Sequence, residues 1–552
     1  MFLKVTNIGR HLQVIVRFTF LINIILLAAC NTHHHPDKKI FHYNEQTGIA
    51  SLDPAFAKNQ SIMWAIHQLY NTLVEVNNEM QLKGSLAKSW DISADNLTMT
   101  FHLRTDIYFH DDIAFENGKG RLMKAADVVY SFNRIIDKST ASPGAWIFNN
   151  RVDPANGFTA LNDSTFQLKL IRPFQPILGI LSMQYCSIIP REAIEKYGSS
   201  FRSHPVGTGP FQIITWEEGQ ALVMKRNPHY FEKDSAGIAL PYVDGIKVSF
   251  YESKATEFLE FQQGRLDFIN DIDASFKDEI LTKTGHLKDV WKGKLLLQKH
   301  PYLNIEYLGI LVDENNDLVK QSPLRLKKVR QAINYGFDRK KMMLYLRNSI
   351  GTAAESGFVP AGLPSFDTSV VKGYHYDPAK ARQLLAEAGF PGGKNLPVIK
   401  LLTIPIYADL ASYIANELNQ AGIKVQVEAI QKSLLLEQTS KSKALFFRGS
   451  WIADYPDAEN YLSVFYGKNP APPNYTRYKN EVYDKLYEKA IAEKNDSLRY
   501  KLYQQMDQLI IQDAPVVPLW YDMAIHLVHT NIKNFLPNGL NLLELRFVKK
   551  ES

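Results

Sequence analysis

Apolar and polar positions along this chain fall into short blocks whose period changes from one block to the next. Leu97, Met99, Phe101 and Leu103 alternate with Thr98, Thr100, His102 and Arg104. A period of two, with threonine and aromatic residues, predicts a half-buried strand. Leu326, Val329, Ile333 and Phe337 recur at helical spacing on a basic segment, which predicts an amphipathic helix. Another block opens with Asp377-Pro378, carries Ala381, Leu384, Leu385 and Ala388, and closes at Gly389. It has a capping carboxylate, a proline in the first turn and a glycine just past the end, so a helix is predicted between them. Leu498, Leu502, Met506, Leu509 and Ile510 predict one more helix, stopped by Ala514-Pro515. Strand and helix signals alternate in this way from Lys39 onward, with no internal repeat.

The N-terminus is patterned differently. Lys4, Arg10 and Arg17, with no acid among them, precede an apolar run from Phe18 to Leu27, and the small residues Ala28 and Ala29 follow. This predicts a secretory signal peptide over residues 1–29. Its apolar part is too short for a permanent membrane helix. The cysteine directly after Leu27-Ala28-Ala29 resembles the bacterial lipobox, in which the cysteine is acylated and becomes the first residue of the mature protein. Cys30 is therefore the expected lipidation site. Residues 30–38, polar and aperiodic, read as a flexible tether. Its three adjacent histidines, His33 to His35, read as spacer rather than as a metal site.

Composition adds three constraints. The 552 residues are 45% hydrophobic and 22% charged, as in a soluble globular chain of more than one domain. The formal charge is +6, and Lys4, Arg10 and Arg17 belong to the leader, so the remaining surplus is too small to argue for nucleic acid. Cys30 and Cys186 are the two cysteines. With lipid on Cys30, Cys186 has no partner, and the fold depends on its core rather than on disulfides.

Catalytic signatures are missing: there is no metalloprotease His-Glu-x-x-His, P-loop, GxGxxG after a strand or GxSxG elbow. Ser85 to Lys88 and Ser440 to Lys443 match Ser-x-x-Lys, but without the further motifs that a penicilloyl serine enzyme needs. The histidines show no zinc spacing. Tyrosines cluster in proline-containing stretches, at Tyr455-Pro456, Tyr461, Tyr466 and Tyr475, where they either pad a core edge or line a cleft. An exported chain without a catalytic constellation reads as a binder, not an enzyme.

Local phrases then resemble a known family. Segments 51–54, 69–73, 86–90, 97–104, 107–111, 126–132, 204–211, 225–230, 329–339, 376–390 and 511–520 are similar, in the same order, to the extracellular solute-binding proteins (family 5) of peptide ABC transporters. Two departures stand out, Asp111-Asp112 where members often carry Asp-Gly, and the inserted stretch from Ala114 to Met123. The resemblance implies an α/β, two-lobed, hinge-closing periplasmic-binding-protein-like fold with an extra third domain. The expected division is lobe I from residues 39–71, 204–303 and 516–552, an extra domain II from 72–203, and lobe III from 304–515.

It also implies a site on the stretch Phe446 to Tyr455. Asp454 falls where the family's aspartate pairs with a peptide α-amino group, and Arg448 where some members hold the C-terminal carboxylate. Ser450 and Ile452 fall where the main chain ladders with an extended peptide, and Trp451 at the aromatic position beside it. Lys58 stands where some oligopeptide binders place a second carboxylate. Arg448 and Asp454 are six residues apart, about 20 Å if extended, a span that suits a clamp on the two ends of a short peptide. The implied function is a lipoprotein that captures extended peptides and delivers them to the membrane permease of an ABC importer. It is expected to be a monomer, held by its lipid to a bacterial membrane on the periplasmic or extracytoplasmic side, with no cofactor. The alternatives are a nickel, haem or oligosaccharide receptor on the same fold, with His526 and His375 as the candidate ligands for a metal, or an exported hydrolase.

Overall fold

Two strands, Leu295–Ile310 and Val516–His529, run for 16 and 14 residues, two to three times the length of an average strand. Their length follows from their job of joining two separate cores. The structure, a computed structural model, describes residues 38–153, 155–273 and 276–551. The leader, Cys30 and the histidines of the tether lie outside the described residues.

The two long strands pair antiparallel inside a seven-stranded sheet. One end of the pair lies beside Phe268–Asn270, in a core built from Phe258, Phe261, Ile269 and Leu527. The other end lies beside Phe446–Ile452, with the parallel strands Ile399–Thr403 and Val425–Ala429 beyond. Midway the ladder breaks: Pro301 pairs with Met523 and the next pair is Ile305 with Tyr521. Unequal lengths of chain between those pairs make a bulge, which bends both strands at one point.

The division expected at Val516 shifts accordingly. Val517, Leu519 and Trp520 pack with Phe446 and Leu308, and Val516 and Tyr521 with Ile305 and Tyr307. The first six residues of the last strand thus belong to the second lobe's cores, because a strand that crosses a hinge is shared by both sides. From Leu303 to Ile310 every residue is buried. Cores lie on both faces of the sheet there, and the polar Asn304 and Glu306, which alternate with Leu303, Ile305 and Tyr307, are buried with them.

The first lobe carries a four-stranded sheet in the order Ile40–Asn44, Gly245–Ser249, Ala221–Arg226 and Phe211–Glu217. Beside it stands the extra domain, an antiparallel sheet of Ala87–Ile92, Thr98–Leu103, Thr165–Lys169 and Phe158–Asn162. Phe41, Phe101, Phe132 and Cys186 lie in one continuous core, so these two parts are packed as one body. Cys186 is a free, buried thiol.

The three predicted helices form, the first over Lys327–Tyr335, which leaves Leu326 and Phe337 just outside it. In Pro378–Glu387 the Asp377 carboxylate accepts the Lys380 N–H at 2.8 Å, and Gly389 takes a left-handed φ of 92°. Asp496–Asp513 ends at Ala514, itself left-handed at φ 52°, where the following proline prevents continuation.

Candidate ligand-binding strand and hinge

The strand Phe446–Ile452 has one edge fully laddered and one largely open. Ala453 donates its N–H to the Leu303 carbonyl at 2.8 Å, and Leu311 donates to that of Leu445 at 2.9 Å. Hydrogen-bonded pairs alternate along an antiparallel ladder. Odd-numbered residues therefore turn their main-chain groups toward Asn304–Ile310, and Arg448, Ser450 and Ile452 turn theirs to the opposite edge. On that edge the neighbouring strand makes a single pairing, Leu402 with Phe447. Among the described residues, no strand covers the outward groups of Ser450 and Ile452, and the Ile452 residue is 50% exposed.

Glycine at 449 is required by its cross-strand partner. Tyr307 lies directly opposite, and a Cβ on Gly449 would stand 2.6 Å from its ring. The arrangement repeats one step on, where Phe447 lies against Gly309, at 2.5 Å from such a Cβ. Aromatic rings folded over strand glycines cover the missing side chains and hold this part of the sheet in one register.

Asp454 follows the strand, ahead of the buried Tyr455. Its residue is open to solvent by area, yet protein surrounds the carboxylate closely enough that desolvation raises its pKa, with a hydrogen bond from Asn460 opposing. Among the described residues no cation pairs with it. The Asn460 amide donates to Asp454 Oδ2 at 3.4 Å, and its carbonyl oxygen accepts the Trp451 indole N–H at 2.9 Å. Asn460 is 4% exposed and ties together two of the predicted residues. It was not singled out from the sequence, where only its place six residues after Asp454 marks it. Tyr185, from the extra domain, feels the same charge: burial and then Asp454 push its hydroxyl up to about 12.

Arg448, the expected anchor for a ligand carboxylate, has a partner within the chain. Its guanidinium donates to Glu306 Oε2 and lies over the Tyr407 ring, 4.0 Å from the centroid. Both partners are largely buried, at 13% and 4% side-chain exposure. Glu306 alternates with Ile305 and Tyr307 as a solvent-facing strand residue would, so the sequence did not mark it. Arg347 and Asp522 form a second pair at 3.2 Å, and Asn304 reaches both acids, donating at 3.4 Å to Glu306 and 3.1 Å to Asp522. This charged group sits at the bulge between the lobes.

The two histidine candidates lie elsewhere and apart. His526 is buried against Phe268 and Phe535 and shares a hydrogen bond with Asn541 at 2.9 Å; burial pushes it down to about 4. His375 is exposed beside Tyr335. Among the described residues no three histidine, cysteine or acidic side chains converge as a metal site. A cavity of about 640 Å³ opens between the extra domain and the second lobe, lined by Trp90, Gly179, Pro456, Asp457 and Tyr500 among others. It adjoins the turn after Asp454, and none of the five predicted ligand residues lines it. Of the four loop tyrosines, Tyr455 and Tyr461 are buried and Tyr466 and Tyr475 half-buried, and Tyr461 donates to the Leu303 carbonyl at 2.6 Å.

Two cores joined by a pair of crossing strands, with an open strand edge beside the crossing, make a two-lobed solute-binding protein. The bacterial extracellular solute-binding proteins, family 5, match residues 81–473, and the chain belongs to that family. Heme-binding protein A of Haemophilus influenzae is 28% identical over 488 residues, 85% of this chain and 84% of that protein. Glutathione-binding protein GsiB of Escherichia coli is 26% identical over 498 residues, 89% of this chain and 90% of that protein. Among solved structures, the ABC transporter-associated periplasmic binding protein DppA from Helicobacter pylori, in complex with the peptide STSA, superposes with a TM-score of 0.71. It is 24% identical, covering 93% of this chain and 99% of that one.

Proposed function

We propose that this chain is the capture component of an ABC importer and that its ligand is an extended peptide. The observation that carries this is an open strand edge ending at a desolvated carboxylate with no cation of its own. Main-chain groups at Ser450 and Ile452 add the peptide as a further strand, and Asp454 receives its α-ammonium. Backbone pairing is blind to side chains, so many sequences fit. Trp451, fixed by Asn460, walls the amino end. The lobes close about the bulge at Pro301–Ile305 and Tyr521–Met523, as hinged binding proteins do, and the closed form is what the permease engages.

Cys30 carries the lipid that anchors a monomer outside the bacterial membrane, and the protein does no chemistry on its ligand. Relatives named for a peptide complex and for glutathione support a peptide ligand. The haem reading rests on one relative's name and on no feature of this strand. Native mass spectrometry of protein isolated from its own host tests the proposal. A series of bound peptide masses is expected, and a single non-peptide mass such as haem contradicts it.

A further inference from the structure

Arg448 and Glu306 lie two positions apart across the ladder, since Glu306 is directly opposite Ser450 and Arg448 opposite Leu308. Residues in that relation share one face of the sheet, and long side chains reach across the diagonal. The guanidinium donates through Nη2 to the carboxylate and lies over the Tyr407 ring, and its Nε is buried without a partner among the described residues. Arg347, stacked 4.8 Å over Trp520, is held by Asp522 in the same way, and Asn304 links the two acids. Two cations and two anions interlock here, leaving the group without net charge.

We infer that Glu306 stands in for a ligand carboxylate, so that the protein reads peptides from their amino end and is indifferent to the charge at the other. The inference rests on the peptide reading proposed above. A peptide carboxylate approaching Arg448 would share that one cation with Glu306 or displace it; displacement leaves a buried anion without its cation, and sharing sets two anions against one charge, so what one pair gains the other loses. The ligand class so defined includes peptides blocked at the C-terminus and segments longer than the strand edge. Glu306 acts as a specificity residue by occupying a site, not by touching the ligand.

The test is calorimetry at pH 8 with one tripeptide in two forms, free acid and C-terminal amide. That pH keeps Glu306 ionised, because burial, opposed by Arg448, pushes its carboxyl up to about 7. The parent is expected to bind the two forms within about threefold. Glu306→Gln frees Arg448 and is expected to favour the free acid by about tenfold or more, the scale of one added charge-assisted bond. Adding Arg448→Gln should abolish that preference. A parent that already favours the acid by about tenfold overturns the inference, as does an unchanged ratio in a folded Glu306→Gln variant. If that variant does not fold, the parent ratio alone decides. Failure of both forms to bind the parent overturns the peptide reading, and this inference with it.

Discussion

The Asp454 carboxylate takes its one side-chain hydrogen bond, among the described residues, from the amide of Asn460 at 3.4 Å. The bond is long, and the same asparagine holds Trp451 more tightly, at 2.9 Å. Asn460 therefore fixes where the acid sits without satisfying it, which leaves capacity for a ligand ammonium. Asn460→Ala should weaken peptide binding by about tenfold, the worth of one net hydrogen bond. Titration of a free tripeptide into both proteins checks this, with a denaturation curve to show that the variant is folded.

Binding should also depend on pH through Asp454. Only the ionised carboxylate pairs with an ammonium, and desolvation raises its pKa in the free protein. Affinity should hold at neutral pH and fall on acidification, starting above the range in which an ordinary aspartate titrates. In Asp454→Asn this acid limb should disappear. A parent whose affinity is flat down to pH 4 contradicts the assignment.

Gly449→Ala tests the ring-over-glycine packing. The added methyl would meet the buried Tyr307 ring at 2.6 Å, and forcing extra volume into a packed site costs about 1–3 kcal/mol. Urea denaturation should show a loss in that range. No change in midpoint would mean that the ring moves aside freely.

The proposed lipid anchor has one attachment point, Cys30. Cys30→Ser should shift the protein from the membrane fraction to the soluble exported fraction or leave its leader uncleaved. Recovery of mature variant protein in the parent's membrane fraction contradicts lipid attachment there.

What the sequence disclosed follows from where its physics is local. The strand at Thr98–Leu103 has one buried face, so its alternation is visible, and Asp377 and Gly389 mark a helix by capping chemistry within one turn. Asp454, Ser450, Trp451 and Ile452 were named from family resemblance, and the open edge that unites them appears only once the ladder is built. Every residue of Leu303–Ile310 is buried, yet Leu303 to Tyr307 alternates apolar with polar, so the pattern alone reads as solvent-facing the polar position held by Glu306. Its partner Arg448 lies 142 positions away, a distance over which no local pattern speaks. The tyrosines were ambiguous for a related reason. Cores and clefts both want an apolar ring with a polar tip, and only the fold assigns Tyr455 and Tyr461 to the interior.

The most direct measurement of the central claim is a double-mutant cycle by calorimetry, pairing the parent and Asp454→Ala with a free and an N-acetylated peptide. If Asp454 meets the α-ammonium, removing the acid leaves that cation unpaired in a closed cleft, at a cost of about 3–5 kcal/mol, or two to four powers of ten in affinity. Acetylating the peptide should cost a similar amount in the parent and far less in the variant, and that non-additivity is the signature of direct contact. Equal affinity of the parent for free and acetylated peptides would contradict the account, because the amine would then not be recognised at all.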